Sequence, residues 1–234
     1  MKKPALLIIM LFAFGLLSAQ DDYKSFMESA GSNSALFKGA APLLYRFVYT
    51  GTYYAYEKTY LEGDVLYNGK HYKGVRLNLN SHLDELIVWD EANKRSVQLK
   101  KDHVKQFTIG TRKFINVKEP DVSGMIHPGY YQLLYNNSVM VYKKIVKVYT
   151  ESINQEYIAS NRGLIKKFVS SVRYFLINQD GTYIIRRKKD ILNLYPEKKK
   201  EIRKYIRSND LYFNEDNIDV AIVSILSFID NKHE

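Results

Sequence analysis

The sequence contains no cysteine and only one tryptophan and five prolines in 234 residues. Without cysteine the chain cannot form a disulfide, a thiolate metal site or a thiol nucleophile. Its longest apolar run, residues 5–17, has 13 residues, whereas a transmembrane helix needs roughly 20. The sequence also lacks a glycine-rich phosphate loop and the Gly-x-Ser-x-Gly motif of serine hydrolases. These absences exclude a disulfide-stabilised fold and several classes of enzyme.

The N-terminus has the order of features found in a secretory signal. Lys2 and Lys3 precede the apolar run, and the small and polar residues 18–20 follow it. We therefore expect residues 1–20 to be a signal peptide. The mature protein would then be exported, to the periplasm, the outer-membrane surface or the medium, and would not be an integral membrane protein. A retained N-terminal anchor is the alternative, whereas a lipoprotein would need a cysteine.

Residues 45–187 have the pattern of antiparallel strands, with tyrosine and β-branched residues between turn residues. Asn68-Gly69 predicts a two-residue hairpin turn, because both residues tolerate positive φ. Val75, Leu77 and Leu79 alternate with polar residues such as Arg76 and Asn78, which predicts one buried and one wet face. A break is expected near 119–129, and residues 21–44 are predicted to be a loose lead-in.

Two later stretches have helical spacing. Residues 151–169 are predicted to be a loop with a short helix. From residue 188 to 234 the pattern predicts C-terminal helices packed on the sheet, with Ile202, Tyr205 and Ile206 on one apolar face. The predicted fold class is α+β, mainly β: an antiparallel meander, curved sheet or sandwich-like β domain that ends in a helical hairpin.

Several stretches resemble a group of exported, uncharacterised β-rich proteins of Bacteroidota. They are residues 63–77 (GDVLYNGKHYKGVRL), 129–135 (GYYQLLY), 139–142 (VMVY), 188–192 (KKDIL) and 195–206 (YPEKKKEIRKYI). The resemblance covers most of the mature chain. It implies a bacterial cell-envelope setting, and it transfers no activity and no functional residue.

Positive charge is concentrated near the C-terminus. The chain carries a formal charge of +10, and removal of Lys2 and Lys3 leaves +8, of which residues 186–207 contribute a net +7. The basic residues of this segment are Arg186, Arg187, Lys188, Lys189, Lys198, Lys199, Lys200, Arg203, Lys204 and Arg207. They are candidates for contact with anionic lipid or an acidic envelope protein; the alternative is a solvated helix face. Export argues against nucleic acid as a partner.

Tyrosine is unusually abundant, with 20 residues. Tyr53, Tyr54, Tyr56 and Tyr60 are grouped and form a candidate surface for stacking on sugar rings of a glycan. Strands favour tyrosine in any case, so a purely structural role is the alternative.

No motif for catalysis, cofactor binding or metal binding is apparent. His82, Asp84 and Glu85 lie at a predicted turn and form either a weak metal site or a solvated cluster. The sequence therefore predicts a non-enzymatic, envelope-associated protein with a binding or assembly role, without a cofactor. The alternative is a hydrolase acting on envelope or extracellular glycans, which would need two carboxylates about 5 to 10 Å apart.

Overall fold

The computed structural model describes residues 35–153 and 164–231. The predicted signal peptide and residues 21–34 of the predicted lead-in lie outside this part of the chain. The described residues form ten strands and three α-helices. The strands are β1 (Leu61–Tyr67), β2 (Lys70–Asn80), β3 (Glu85–Asp90), β4 (Arg95–Gln98), β5 (Val104–Ile109), β6 (Arg112–Val117), β7 (Gly129–Asn136), β8 (Met140–Ile153), β9 (Leu164–Asn178) and β10 (Gly181–Ile185). The helices are α1 (Lys188–Leu194), α2 (Lys199–Ser208) and α3 (Ile218–Asp230), and single 3-10 turns lie at Ala35–Phe37 and Lys101–His103.

All strands of the described residues belong to one open antiparallel sheet, in the order β10-β9-β8-β7-β6-β5-β1-β2-β3-β4. The first four strands form a meander. The chain then returns through the turn at Lys101–His103, and β5 pairs with the free edge of β1. A second meander, from β5 to β10, extends the sheet in the opposite direction. The predicted mainly β, antiparallel fold with C-terminal helices is confirmed.

The sheet is strongly curved. Five strand spacings separate β2 from β8, which in a flat sheet would place them about 24 Å apart. Nevertheless the Lys147 amide in β8 donates to the carbonyl of Ser81, directly after β2, at 3.2 Å. The first meander therefore curls back towards β8, and the concave face encloses the main core, which includes Leu77, Phe107 and Tyr130.

The first hairpin forms as the sequence predicts. Asn68 and Gly69 have φ of 49° and 76°, the left-handed conformations that a two-residue turn requires. This turn sets the register Tyr67–Lys70 and Val65–Tyr72. Val65, Tyr67 and Tyr72 consequently all face the main core.

The prediction of a wet outer face on β2 is wrong at Asn78, whose side chain is buried. Its amide group donates to the carbonyls of Glu57 and Thr59 at 3.0 and 3.1 Å. The irregular segment 50–60 therefore covers the outer side of β2. The cover comes from residues distant in sequence, so alternation along β2 could not indicate it.

The helix predicted within 151–169 is also wrong for the described part of that stretch. Residues 151–153 complete β8 and residues 164–169 begin β9, while 154–163 lie outside the described residues. The two strands pair continuously from Met140–Ile177 to Ile153–Leu164. Within this hairpin Phe168 is buried, whereas Leu164 and Val169 are 50% and 42% exposed. The sequence spacing of Leu164, Phe168 and Val169 is compatible with one face of a helix. In the strand, however, Val169 lies on the face opposite to Leu164 and Phe168.

The three helices pack on the concave side of β8, β9 and β10. Their isoleucines and leucines form a second core with Val141, Leu176 and Ile185. The end of α3 is fixed by Asp230, which accepts hydrogen bonds from the hydroxyls of Tyr135 and Ser138, both at 2.5 Å. Among the described residues, no helix is long and apolar enough to cross a membrane.

Candidate functional site

A groove of about 840 Å³ opens between the sheet and the loop that precedes α3. Its floor is formed by β8 and β9, including Lys143, Ile145 and Val172. The end of β10 borders one side. Ala55–Tyr56 and residues 213–218 form the walls. Five separate segments of the chain therefore meet around this groove.

A buried ion pair lies at the floor of the groove. The Lys143 ammonium is 2.6 Å from Oδ2 of Asp219, and the Tyr174 hydroxyl donates to Oδ1 of the same carboxylate at 2.7 Å. The Lys143 side chain is only 10% exposed and that of Asp219 is 32% exposed. Burial and the hydrogen bond to Asp219 raise the pKa of Tyr174. Both carboxylate oxygens of Asp219 are thus engaged by protein donors.

Tyr56 extends this polar layer towards the main core. Its hydroxyl donates to the side-chain oxygen of Gln132, and the Arg112 guanidinium lies over its ring, 4.0 Å from the centroid. Burial and the nearby Asp219 carboxylate raise the pKa of Tyr56 to about 12, although Arg112 opposes this shift. These contacts join Tyr56, Gln132 and Arg112 to the polar layer at the floor of the groove.

Two carboxylates lie at the groove, Asp219 and Glu215, and both act on Tyr174. Asp219 is held by Lys143 and Tyr174, and Glu215, on the wall, is exposed. Catalytic carboxylates must be positioned on either side of a bond, and nothing fixes Glu215 opposite Asp219 in the described residues. Hydrolysis therefore stays an alternative prediction.

The basic C-terminal segment contains one ordered surface. On α2, Lys200, Arg203, Lys204 and Arg207 are exposed and recur at the spacing that places them on one helical face; we call them the basic stripe. Among the described residues, none of the four has a carboxylate oxygen within 4.0 Å.

The other predicted basic residues have different surroundings. Arg186, Arg187, Lys188 and Lys189 are exposed around the start of α1. Arg187 lies 3.6 Å from Asp190. Lys198 and Lys199 are half-buried, and the Lys198 ammonium donates to the carbonyl of Ile229 at 3.4 Å. These last two residues therefore belong to the packing of α2 rather than to its open face.

The apolar face of α2 is occupied by the protein itself. Ile202 and Ile206 are buried in the second core, and the Tyr205 ring stacks on Phe228 with centroids 4.2 Å apart. An amphipathic helix that enters a bilayer must present its apolar face to lipid. Here the apolar face is covered and the basic stripe lies on the exposed side, so contact with an anionic surface would be electrostatic.

The four grouped tyrosines do not share one open surface. Tyr53 and Tyr54 are buried in an aromatic cluster with Phe168, which leaves no face free for a sugar ring. Tyr56 belongs to the groove. Tyr60 is half-buried, and its hydroxyl is 2.7 Å from that of Ser96. Only Tyr56 borders an open space of suitable size, so the predicted glycan platform is not assembled from all four.

The acidic turn after β2 has a structural explanation. Asp84 is 2.5 Å from the Lys101 ammonium and 2.8 Å from that of Lys144. His82 has its Nδ1 atom 2.7 Å from the carbonyl of Lys147, and burial raises the pKa of Glu85 against the effects of Gln98 and Lys101. Within the described ranges no three His, Asp or Glu side chains are grouped to hold a metal.

Sequence reasoning did not identify Lys143, Gln132 or Asp219. A signal was present for the first two. Lys143 lies at an inward position between Val141 and Ile145, and Gln132 lies two residues after Tyr130. A polar residue within an apolar alternation indicates a buried partner. Its partner could not be named from periodicity alone.

Comparison of the chain with protein-family models, with curated proteins and with solved structures gave no match.

Proposed function

We propose that this chain is an exported, non-enzymatic protein of the bacterial cell envelope that associates peripherally with an anionic surface. The observation that supports it is the basic stripe. Its cations point outward together because the opposite face of α2 is anchored in the second core. Clustered lysines and arginines beside an anionic membrane each contribute about 1 kcal/mol to attachment. Four such residues supply reversible binding without insertion.

The test is flotation with vesicles that contain phosphatidylglycerol, compared with vesicles of phosphatidylcholine alone. We expect the mature chain to bind only the anionic vesicles, and to dissociate at high salt because surface charges are screened. Replacing all four residues of the basic stripe by serine should weaken binding by about a hundredfold or more.

A matched control removes the same amount of charge elsewhere. Lys70, Lys100, Lys105 and Lys113 are exposed on the first half of the sheet, and their replacement by serine also lowers the net charge by four. If this control binds as weakly as the stripe variant, net charge rather than the stripe governs attachment and the proposal fails. Export is tested separately, by N-terminal sequencing of the chain from the periplasmic fraction.

A further inference from the structure

The edge of β9 is only partly covered. β10 pairs with β9 from Asn178 to Tyr174 and then ends at Ile185. Further along the same edge, Thr50 bridges β9: its amide donates to the carbonyl of Lys166, and the Phe168 amide donates to its carbonyl, both at 3.0 Å. Ser170 and Val172 lie on this edge between β10 and Thr50. Among the described residues they have no cross-strand partner on that side.

The direction of the free backbone groups follows from strand alternation. In an antiparallel strand, the amide and carbonyl of alternate residues point to the same edge. Lys166 and Phe168 bond to Thr50 on this edge, and Tyr174 is paired with Ile185 there. By the same alternation Ser170 and Val172 direct two amides and two carbonyls away from β8.

These four groups border the groove. Ser170 and Val172 line it on one side, and Phe213 and Ile218 line it on the other. The floor carries the polar side chains of Ser170, Ser171 and Arg173 beside Ile145 and Val172, and Lys143 is paired with Asp219. The groove therefore offers backbone donors and acceptors along one side, and on the other Phe213 and Ile218 supply apolar surface next to Asn214 and Glu215.

We propose that the groove binds an extended polypeptide segment, which adds to the edge of β9 as a short strand. A peptide backbone repeats its donors and acceptors at the spacing of the free groups on β9. Alternate side chains of the bound segment would enter the groove, where Phe213 and Ile218 favour an apolar residue. This interaction goes beyond the proposed surface attachment, since the basic stripe takes no part in it.

The test begins with a phage-displayed library of random linear peptides, selected on the mature protein. The best peptide is then measured by fluorescence anisotropy against the parent, Ser170→Pro and Val172→Pro. Proline removes the outward amide and leaves the pairing with β8 intact. We expect each variant to weaken binding about tenfold, the effect of one lost hydrogen bond with its steric clash.

Val122→Pro is the matched control, because it makes the same substitution at a place where proline fits. Val122 is the second residue of a turn in which the Gly124 amide donates to the carbonyl of Asp121, the position that favours proline. This variant should bind the peptide like the parent. Circular dichroism and urea midpoints establish that each variant is folded.

The peptide provides a second measurement that does not depend on any protein variant. A strand that adds to an edge uses the amides of alternate residues only. We therefore compare one peptide that is N-methylated at its odd-numbered residues with one that is N-methylated at its even-numbered residues. One of the two should lose binding and the other should keep it. The proposal is overturned if the selection enriches no peptide, or if the two N-methylated peptides bind equally. It is also overturned if the proline variants bind the peptide like the parent. A dimer of the parent that Val172→Pro dissociates would show instead that a second copy occupies the edge.

Discussion

Replacing either partner of the ion pair at the floor of the groove should lower the stability of the protein, but by different amounts. Replacing Asp219 by alanine leaves the Lys143 ammonium, 10% exposed, without its carboxylate partner beside the rings of Tyr56 and Tyr174. Loss of one partner from a buried pair costs about 3 to 5 kcal/mol. Because Asp219 is 32% exposed, water can enter the vacated space, and we expect a loss of about 2 to 4 kcal/mol in the free energy of unfolding.

Replacing Lys143 by methionine should cost less, about 1 to 2 kcal/mol, since Asp219 can be hydrated and keeps the Tyr174 hydrogen bond. The double variant Lys143→Met, Asp219→Ala should be more stable than the sum of the two single changes predicts, because neither charge is left unpaired. Tyr174→Phe removes only a hydrogen bond and should cost about 1 kcal/mol.

The assay is equilibrium unfolding in urea at neutral pH, followed by far-UV circular dichroism. Changes in midpoint at a constant slope report stability directly. If Asp219→Ala and Lys143→Met are equally destabilising, or if the double variant is additive, then the ion pair is hydrated in the folded protein and the reasoning is wrong.

Two further predictions concern the sheet. Asparagine at position 84 tolerates the left-handed backbone of Asp84, whose φ is 57°, but it removes the negative charge between Lys101 and Lys144. We expect Asp84→Asn to lower the free energy of unfolding in urea by about 2 to 4 kcal/mol. Lys101→Met should have a smaller effect. Burial raises the pKa of Asp90, but hydrogen bonds from Asn93 and Arg95 outweigh it and lower the pKa below 3.8. Its contribution is therefore present above pH 3.8 and is lost as the pH falls through the folded-state value, so Asp90→Asn should destabilise the protein at neutral pH and much less at about pH 2; an equal effect at both pH values would contradict this.

Local features of the fold were predictable from the sequence. The Asn68-Gly69 turn and the apolar face of α2 depend on residues within a few positions of one another, and both have the expected geometry. The pairing of β5 with β1 depends instead on a return of the chain across the first meander, which no local pattern encodes. The same reason explains Asn78, since its partners lie about twenty residues earlier.

The groove was less predictable than the strands around it. Tyr56, Lys143, Val172 and Phe213 come from four segments, and only the curvature of the sheet and the docking of the helices bring them together. By contrast, the basic stripe could be identified because its residues lie on consecutive turns of one helix. The sequence also predicted that the apolar face of that helix packs on the sheet, and in the structure this face lies in the second core, which limits the stripe to electrostatic contact.

The open part of the β9 edge is consistent with how proteins manage exposed strands. A free edge is a site for unwanted pairing, and it is usually covered or interrupted. Here Thr50 covers one end of the gap and β10 the other, so within the described residues Ser170 and Val172 stay available between them. Phe213 and Ile218 form the opposite wall of the groove, which hinders the approach of another whole sheet. A single extended strand is narrower than a sheet, so the same arrangement that limits aggregation favours the single strand that we propose.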